Sequence, residues 1–159
     1  MTPAHRQRAL LPSEDRAFIG LQKAADKLAL QVEQLLKSTG LTGAQYNVLR
    51  ILRGAEPQGL GCSSIGERMI SHDPDITRLL DRMEKRQLIT RQRQTDDRRV
   101  VKTRITGTGL ELLKRLDPTV RELHKRQFAR MGAARVKMLA DLLDEVCAQD
   151  EMKSKAVTG

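Results

Sequence analysis

Six basic side chains, Arg91, Arg93, Arg98, Arg99, Lys102 and Arg104, crowd into the stretch RQRQTDDRRVVKTR beside only two carboxylates, Asp96 and Asp97. Guanidinium forks at this density do phosphate and base-edge chemistry, because their donors match those acceptors two at a time. A second set lies upstream. Asp75, Thr77, Arg78, Arg82 and Lys85 interleave with the apolar Ile76, Leu79, Leu80 and Met83 at three- and four-residue steps, so a helix would turn the polar set outward. Ser63 and Ser64, in the preceding run GCSSIGERMI, belong with the same candidate nucleic-acid-binding set. Catalytic chemistry has no comparable constellation. His5, His72 and His124 are scattered, and the chain has no HxxxH pair, nucleophile elbow or glycine-rich phosphate loop. Its two cysteines, Cys62 and Cys147, are too far apart for a disulfide framework or zinc knuckle. No catalytic residue, metal site or cofactor is expected.

The elements that must position these residues follow from periodicity. Phe18, Leu21, Ala25, Leu28, Val32, Leu35 and Leu36 form one apolar stripe of a long helix that opens with Ser13 as cap and ends at Gly40. Thr42 followed by Gln45 is a capping box for a second helix, Leu41 to Leu52, closed by Gly54. A short third helix puts Ile65 and Met69 inward. Asp73-Pro74 pairs a favoured cap with proline at the first helical position, so the fourth helix is expected to begin there. LITRQR and VVKTRI are rich in β-branched residues and lose helical periodicity, which predicts a hairpin over Leu88 to Ile105. Thr106 caps a fifth helix, expected to bend near Pro118. A sixth, Arg135 to Cys147, carries Val136, Leu139, Leu142, Leu143 and Val146 on one stripe.

Three short helices and a hairpin inside a basic chain read as a winged helix-turn-helix, mostly α, flanked by terminal helices. Residues 13–38 with 107–150 form the expected helical dimerisation region, 41–106 the DNA-binding region, and 1–12 and 151–159 flexible tails. Aromatics make up 2% of the 159 residues, so the core must come from Leu, Ile, Val, Met and Ala. The formal net charge of +9 suits a polyanionic partner, and residues 62–104 hold 11 basic against 7 acidic groups. Neither an export signal nor a membrane-length apolar run is present, which predicts a cytoplasmic protein with no membrane partner. The hairpin tip has two readings. Arg98 and Arg99 enter a minor groove, or they solvate a loop and pair with Asp96 and Asp97; the upstream helix pair favours the first. Asp75 likewise complements a helix dipole or accepts from a cytosine amino group, while Arg78 suits a base edge or phosphate and Arg82 and Lys85 suit the backbone.

LTGAQYNVL, residues 41–49, resembles the LT-x-x-Q-x-x-V-L second helix of the MarR-type bacterial transcriptional regulators. ITRLLDRMEKRQLI, residues 76–89, is similar to that family's recognition helix and first strand, and Asp97-Arg98-Arg99 with Thr106 and Gly109 matches its wing signature in spacing. Two departures stand out: Gln87 where the family has glycine, and DPDIT where it has small polar residues. The resemblance implies a homodimer joined through the first and last helices, here Phe18 and Leu21 with Val136, Leu139, Leu143 and Val146. Such a dimer reads double-stranded DNA as an inverted repeat with half-sites about 34–36 Å apart. It further implies a repressor released by a small aromatic acid or phenolic effector, for which Tyr46 and Arg50 offer a phenol and a guanidinium; Tyr46 as ordinary core is the other reading. Thiol sensing fits less well, since the family's sensing cysteine lies in the first helix and this first helix has none, leaving only Cys62 at a later helix start. The competing class is a winged-helix module for protein contacts that has lost DNA binding.

Overall fold

The capping box read at Thr42 closes in the computed structural model of the chain, which describes residues 11–71, 75–93 and 101–156. The elements run α1 (Ser13–Leu36), a 3-10 turn (Lys37–Thr39), α2 (Gly43–Arg53), α3 (Cys62–Arg68) and α4 (Ile76–Lys85). The hairpin strands β1 (Ile89–Arg93) and β2 (Val101–Ile105) follow, then α5 (Gly107–Phe128) and α6 (Ala133–Ala156). The fold is mostly α, a winged helix-turn-helix with long terminal helices. Thr42 Oγ1 accepts from Gln45 N and Gln45 Oε1 accepts from Thr42 N, both at 3.2 Å, so two orphan donors of the first turn of α2 are satisfied reciprocally.

Helix boundaries differ from expectation at four places, the second helix running Gly43–Arg53 after its Thr42 cap rather than Leu41 to Leu52. Ser13 is the first helical residue rather than the cap; Pro12 precedes it without a side-chain bond, and Glu14 and Asp15 supply negative charge at the dipole's positive end. The fourth helix starts at Ile76, capped by Asp75 and not by Asp73; Asp75 Oδ1 accepts from Arg78 N at 3.2 Å. Asp73 and Pro74 themselves lie outside the described residues. The last helix runs from Ala133 to Ala156, where the stripe suggested Arg135 to Cys147. Gly40, with φ of 65°, ends the first helical segment as read.

The chain divides into two compact units, Met1–Val120 and Arg121–Gly159. The first has one core. Leu36 of α1, Val48, Leu49 and Leu52 of α2, Ile65 of α3, Leu79, Leu80 and Met83 of α4, Ile89 and Ile105 of the hairpin and Leu113 of α5 are all at most 5% exposed. Each such side chain contributes about 1.5–3 kcal/mol relative to exposure. The strands pair antiparallel with Ile89 opposite Ile105 and Arg93 opposite Val101. A third segment joins them: Leu60 N donates to Thr103 O at 3.0 Å and Thr103 N to Leu60 O at 2.8 Å. Gly59 makes that approach with φ of +67°, where a Cβ would stand 2.7 Å from Thr103 O. In the second unit, Val136, Leu139 and Leu143 of α6 are half-buried, whereas Met138, Leu142 and Val146 are more than half exposed. No helix among the described residues is long and apolar enough to cross a membrane.

Candidate nucleic-acid interface

On α4 the apolar spacing works as read. Leu79, Leu80 and Met83 are buried, which forces Thr77, Arg78, Arg82 and Lys85 to the surface, and all four are exposed. Arg78, Arg82 and Lys85 sit at i, i+4 and i+7, one cationic row along a helix ten residues long. Ser63 is exposed and Ser64 half-buried on α3, one helix earlier. Asn47 of α2 holds the segment after α3, its Oδ1 accepting from Ile70 N at 2.9 Å.

Asp75 is more than a carboxylate near phosphate. Besides capping α4 it pairs with the side chain of Arg78, Oδ2 to Nε at 3.1 Å. The pair is exposed, so it contributes little stability, at most about 1 kcal/mol, but it sets the direction of the first guanidinium of the row. The wing tip with Asp96, Asp97, Arg98 and Arg99 lies outside the described residues. Of the basic residues flanking it, Arg93 and Arg104 are exposed and Lys102 is half-buried.

Arg91 does something the charge count did not reveal. Its Nε and Nη2 donate to Glu84 Oε2 at 2.9 and 2.7 Å, its Nη2 also reaches Asp81 Oδ1 at 2.5 Å, and its backbone N donates to Glu84 Oε1 at 2.9 Å. Hydrogen bonding to Glu84 is the main cause holding the Arg91 guanidinium above its ordinary pKa. The hairpin is thereby fastened to the side of α4, and one of the six cations in the opening stretch serves the fold rather than a ligand. Glu84 and Asp81 at i, i+3 on one helix edge, followed by arginine in the next strand, were the available signal.

The end of α4 is closed by a left-handed residue. Gln87 takes φ of 57°, Gln87 N donates to Glu84 O at 2.8 Å and Leu88 N to Met83 O at 3.0 Å, which is a Schellman motif built without glycine. Thr106 Oγ1 then donates to Gln87 O at 2.6 Å and accepts from Gly109 N at 3.2 Å, so one hydroxyl locks the end of α4 to the start of α5. Gly109 must be glycine because a Cβ there would lie 2.4 Å from Leu88 O.

Tyr46, paired in the sequence reading with Arg50, is 6% exposed within the core, and the Arg50 guanidinium carbon stands 5.9 Å from its ring centroid. Burial pushes its hydroxyl pKa upward, with Arg50 opposing. Cys62 is half-buried at the start of α3 and Cys147 is exposed. No group of three or more His, Cys, Asp or Glu among the described residues could hold a metal ion.

The comparisons with known proteins agree with this geometry. The MarR family model matches residues 41–101. The HTH-type transcriptional repressor IacR of Pseudomonas putida is 31% identical over 133 residues, covering 84% of this chain and 78% of its own length. The homoprotocatechuate degradative operon repressor of Escherichia coli is 26% identical over 145 residues, 91% of this chain and 97% of its own. Among solved structures, the MarR transcription factor from Planctomyces limnophilus shares 34% identity at a TM-score of 0.64 and covers 89% of this chain and 97% of its own. A capped reading helix, a wing fastened beside it and this likeness along most of the chain lead to one conclusion: the chain belongs to the MarR family of winged-helix, DNA-binding transcriptional regulators, not to any enzyme class.

Proposed function

We propose that the chain is a repressor that binds a pseudo-palindromic operator as a homodimer, each copy laying α4 in a major groove and its wing in the adjacent minor groove. The exposed row Thr77, Arg78, Arg82 and Lys85, rising from the buried Leu79, Leu80 and Met83, carries this reading. Arg78, aimed by Asp75, meets a base edge or nearby phosphate, and Arg82 and Lys85 hold phosphates. Ser63 and Ser64 support the docking from α3, and Arg98 and Arg99 reach the minor groove from the tip. The cap and the Arg78 pairing account for Asp75 without a cytosine contact.

Dimerisation through residues 13–38 with 107–150 is supported by apolar side chains that stay exposed in the single chain: Phe18 at 61%, Leu21 at 39%, Leu142 at 52% and Val146 at 55%. Isolated exposed leucines need no explanation, but two long helices that each carry a pair of exposed large apolar side chains within one turn do. Phe18 and Leu21 on α1 and Val136, Leu139, Leu143 and Val146 on α6 form the seam. The effector is a small aromatic acid or other phenolic, a class in keeping with the similarity to a protein named as the repressor of a homoprotocatechuate degradative operon. It releases DNA by preferring a separation of the two reading heads that does not match the groove spacing.

Fluorescence anisotropy on labelled duplexes tests the reading. Binding must weaken linearly in log salt as phosphate contacts release counterions, and an aromatic acid must shift the curve. Salt-insensitive or absent binding would leave a protein-contact module instead.

A further inference from the structure

Arg86 continues the row of Arg78 and Arg82 by spacing, four residues on, yet its side chain is engaged elsewhere in the same unit. Its Nη1 donates to Gly40 O at 2.7 Å and lies 3.4 Å from Gln45 Oε1, while Nη2 donates to Thr39 O at 3.1 Å. Thr39 and Gly40 close the 3-10 turn that prolongs α1, and their carbonyls are the acceptors a helix end leaves without partners. A guanidinium there satisfies two of them with one planar fork and sits at the negative end of the helix dipole. The amide it also touches belongs to Gln45, the far half of the α2 capping box. On the other side of this junction Glu33 of α1 accepts from Gly43 N at 2.6 Å, fixing α1 to the first turn of α2. Arg86 is itself the last cap of α4, followed at once by the left-handed Gln87, so little slack separates its backbone from the helix axis.

We propose that Arg86 is a positioning residue that ties the orientation of the reading helix α4 to the end of α1, and that discrimination between operator half-site spacings depends on it. The inference rests on the proposed reading of α4 as the DNA-contacting helix of a dimer joined through its terminal helices. If α1 belongs to the dimer arm, the tilt of α4 in its groove is inherited from that arm through this latch, with no contact between Arg86 and DNA. A phosphate contact and a purely stabilising bond are the two alternatives, and they move different measurements.

The test compares the intact wild-type chain with Arg86→Ala and Arg86→Lys on a duplex recovered by selection from random DNA, and on versions with one base pair added or removed between half-sites. The wild type should lose at least about tenfold in affinity on the altered spacings, the size of a poor base-pair match. Both variants should lose about threefold or less, because alanine offers no donor and the ammonium of lysine cannot bridge two carbonyls in a plane. The salt slope of the variants should equal that of the wild type, whereas a lost phosphate contact lowers it by about one. Unchanged spacing discrimination, or a slope reduced by one, overturns the proposal. Hydrogen exchange without DNA gives an independent arm: in Arg86→Ala, amides of 37–45 and of 83–88 should exchange faster together, and acceleration in one segment alone overturns the latch. Should the wild type select no duplex at all, the reading of α4 fails while the exchange result still decides the latch.

Discussion

Replacing Gln87 by glycine should stabilise the protein, although it removes a whole side chain. Gln87 holds a left-handed conformation at φ of 57°, which costs an L-residue about 1–2 kcal/mol through the approach of Cβ to the following carbonyl. Glycine removes that cost but makes the unfolded chain more flexible, which takes back about 0.4–1 kcal/mol. None of the bonds that define the site uses the Gln87 side chain: Gln87 N to Glu84 O, Leu88 N to Met83 O, and Thr106 Oγ1 to Gln87 O. All three survive the change, so the net gain is about 0.5–1 kcal/mol. Urea denaturation at fixed protein concentration reads this as a midpoint raised by a few tenths of a molar, roughly 0.3 M at an m-value near 2 kcal/mol/M, with m unchanged. Gln87→Val runs the other way, since branching at Cβ worsens the strain. A lowered midpoint for Gln87→Gly would refute the assignment of strain to this position.

Gly109→Ala should lose about 2–3 kcal/mol, because the new methyl meets Leu88 O and Ile105 Cγ1 inside packed backbone; a midpoint unchanged from wild type would contradict the close approach. Tyr46 is the only tyrosine in a chain without tryptophan, so phenolate absorbance reports it alone. Its folded pKa lies above the ordinary 10.0 because burial disfavours the anion. Stability from this group is therefore full below the unfolded value and declines as pH rises through the folded one, and a phenolate appearing at or below the ordinary value would contradict its burial. Leu139→Glu with Leu143→Glu should yield a monomer by sedimentation; a persistent dimer would displace the seam. Arg98→Ala should weaken operator binding at least about tenfold, equivalent to 1.4 kcal/mol, and equal affinity in a gel shift would remove the wing tip from the interface.

Local chemistry was readable in the sequence wherever the partners lie a few residues apart. The Thr42–Gln45 box, the cap at Thr106, the inward face of α4 and the hairpin all rest on spacings of two to four residues, and they stand where expected. The cap of α4 was misplaced by two residues because Asp73 and Asp75 are chemically equal as caps and proline after Asp73 tipped the choice. Arg91 was not distinguishable from a DNA-facing cation, and Arg86 carried no assignment at all. Their partners, Gly40 across 46 residues and the edge of α4 across a chain reversal, are brought together only by the tertiary fold. The bridge of Leu60 to Thr103 escaped for the same reason, as a single residue pair has no periodicity to detect.

Selection of bound sequences from random duplex DNA by the full chain tests the central claim most directly. Two copies of α4 held in a twofold dimer predict an enriched inverted repeat whose half-site centres lie about one helical turn, 10–10.5 base pairs, apart. A pool with no enriched motif, or one holding single half-sites without symmetry, would contradict it.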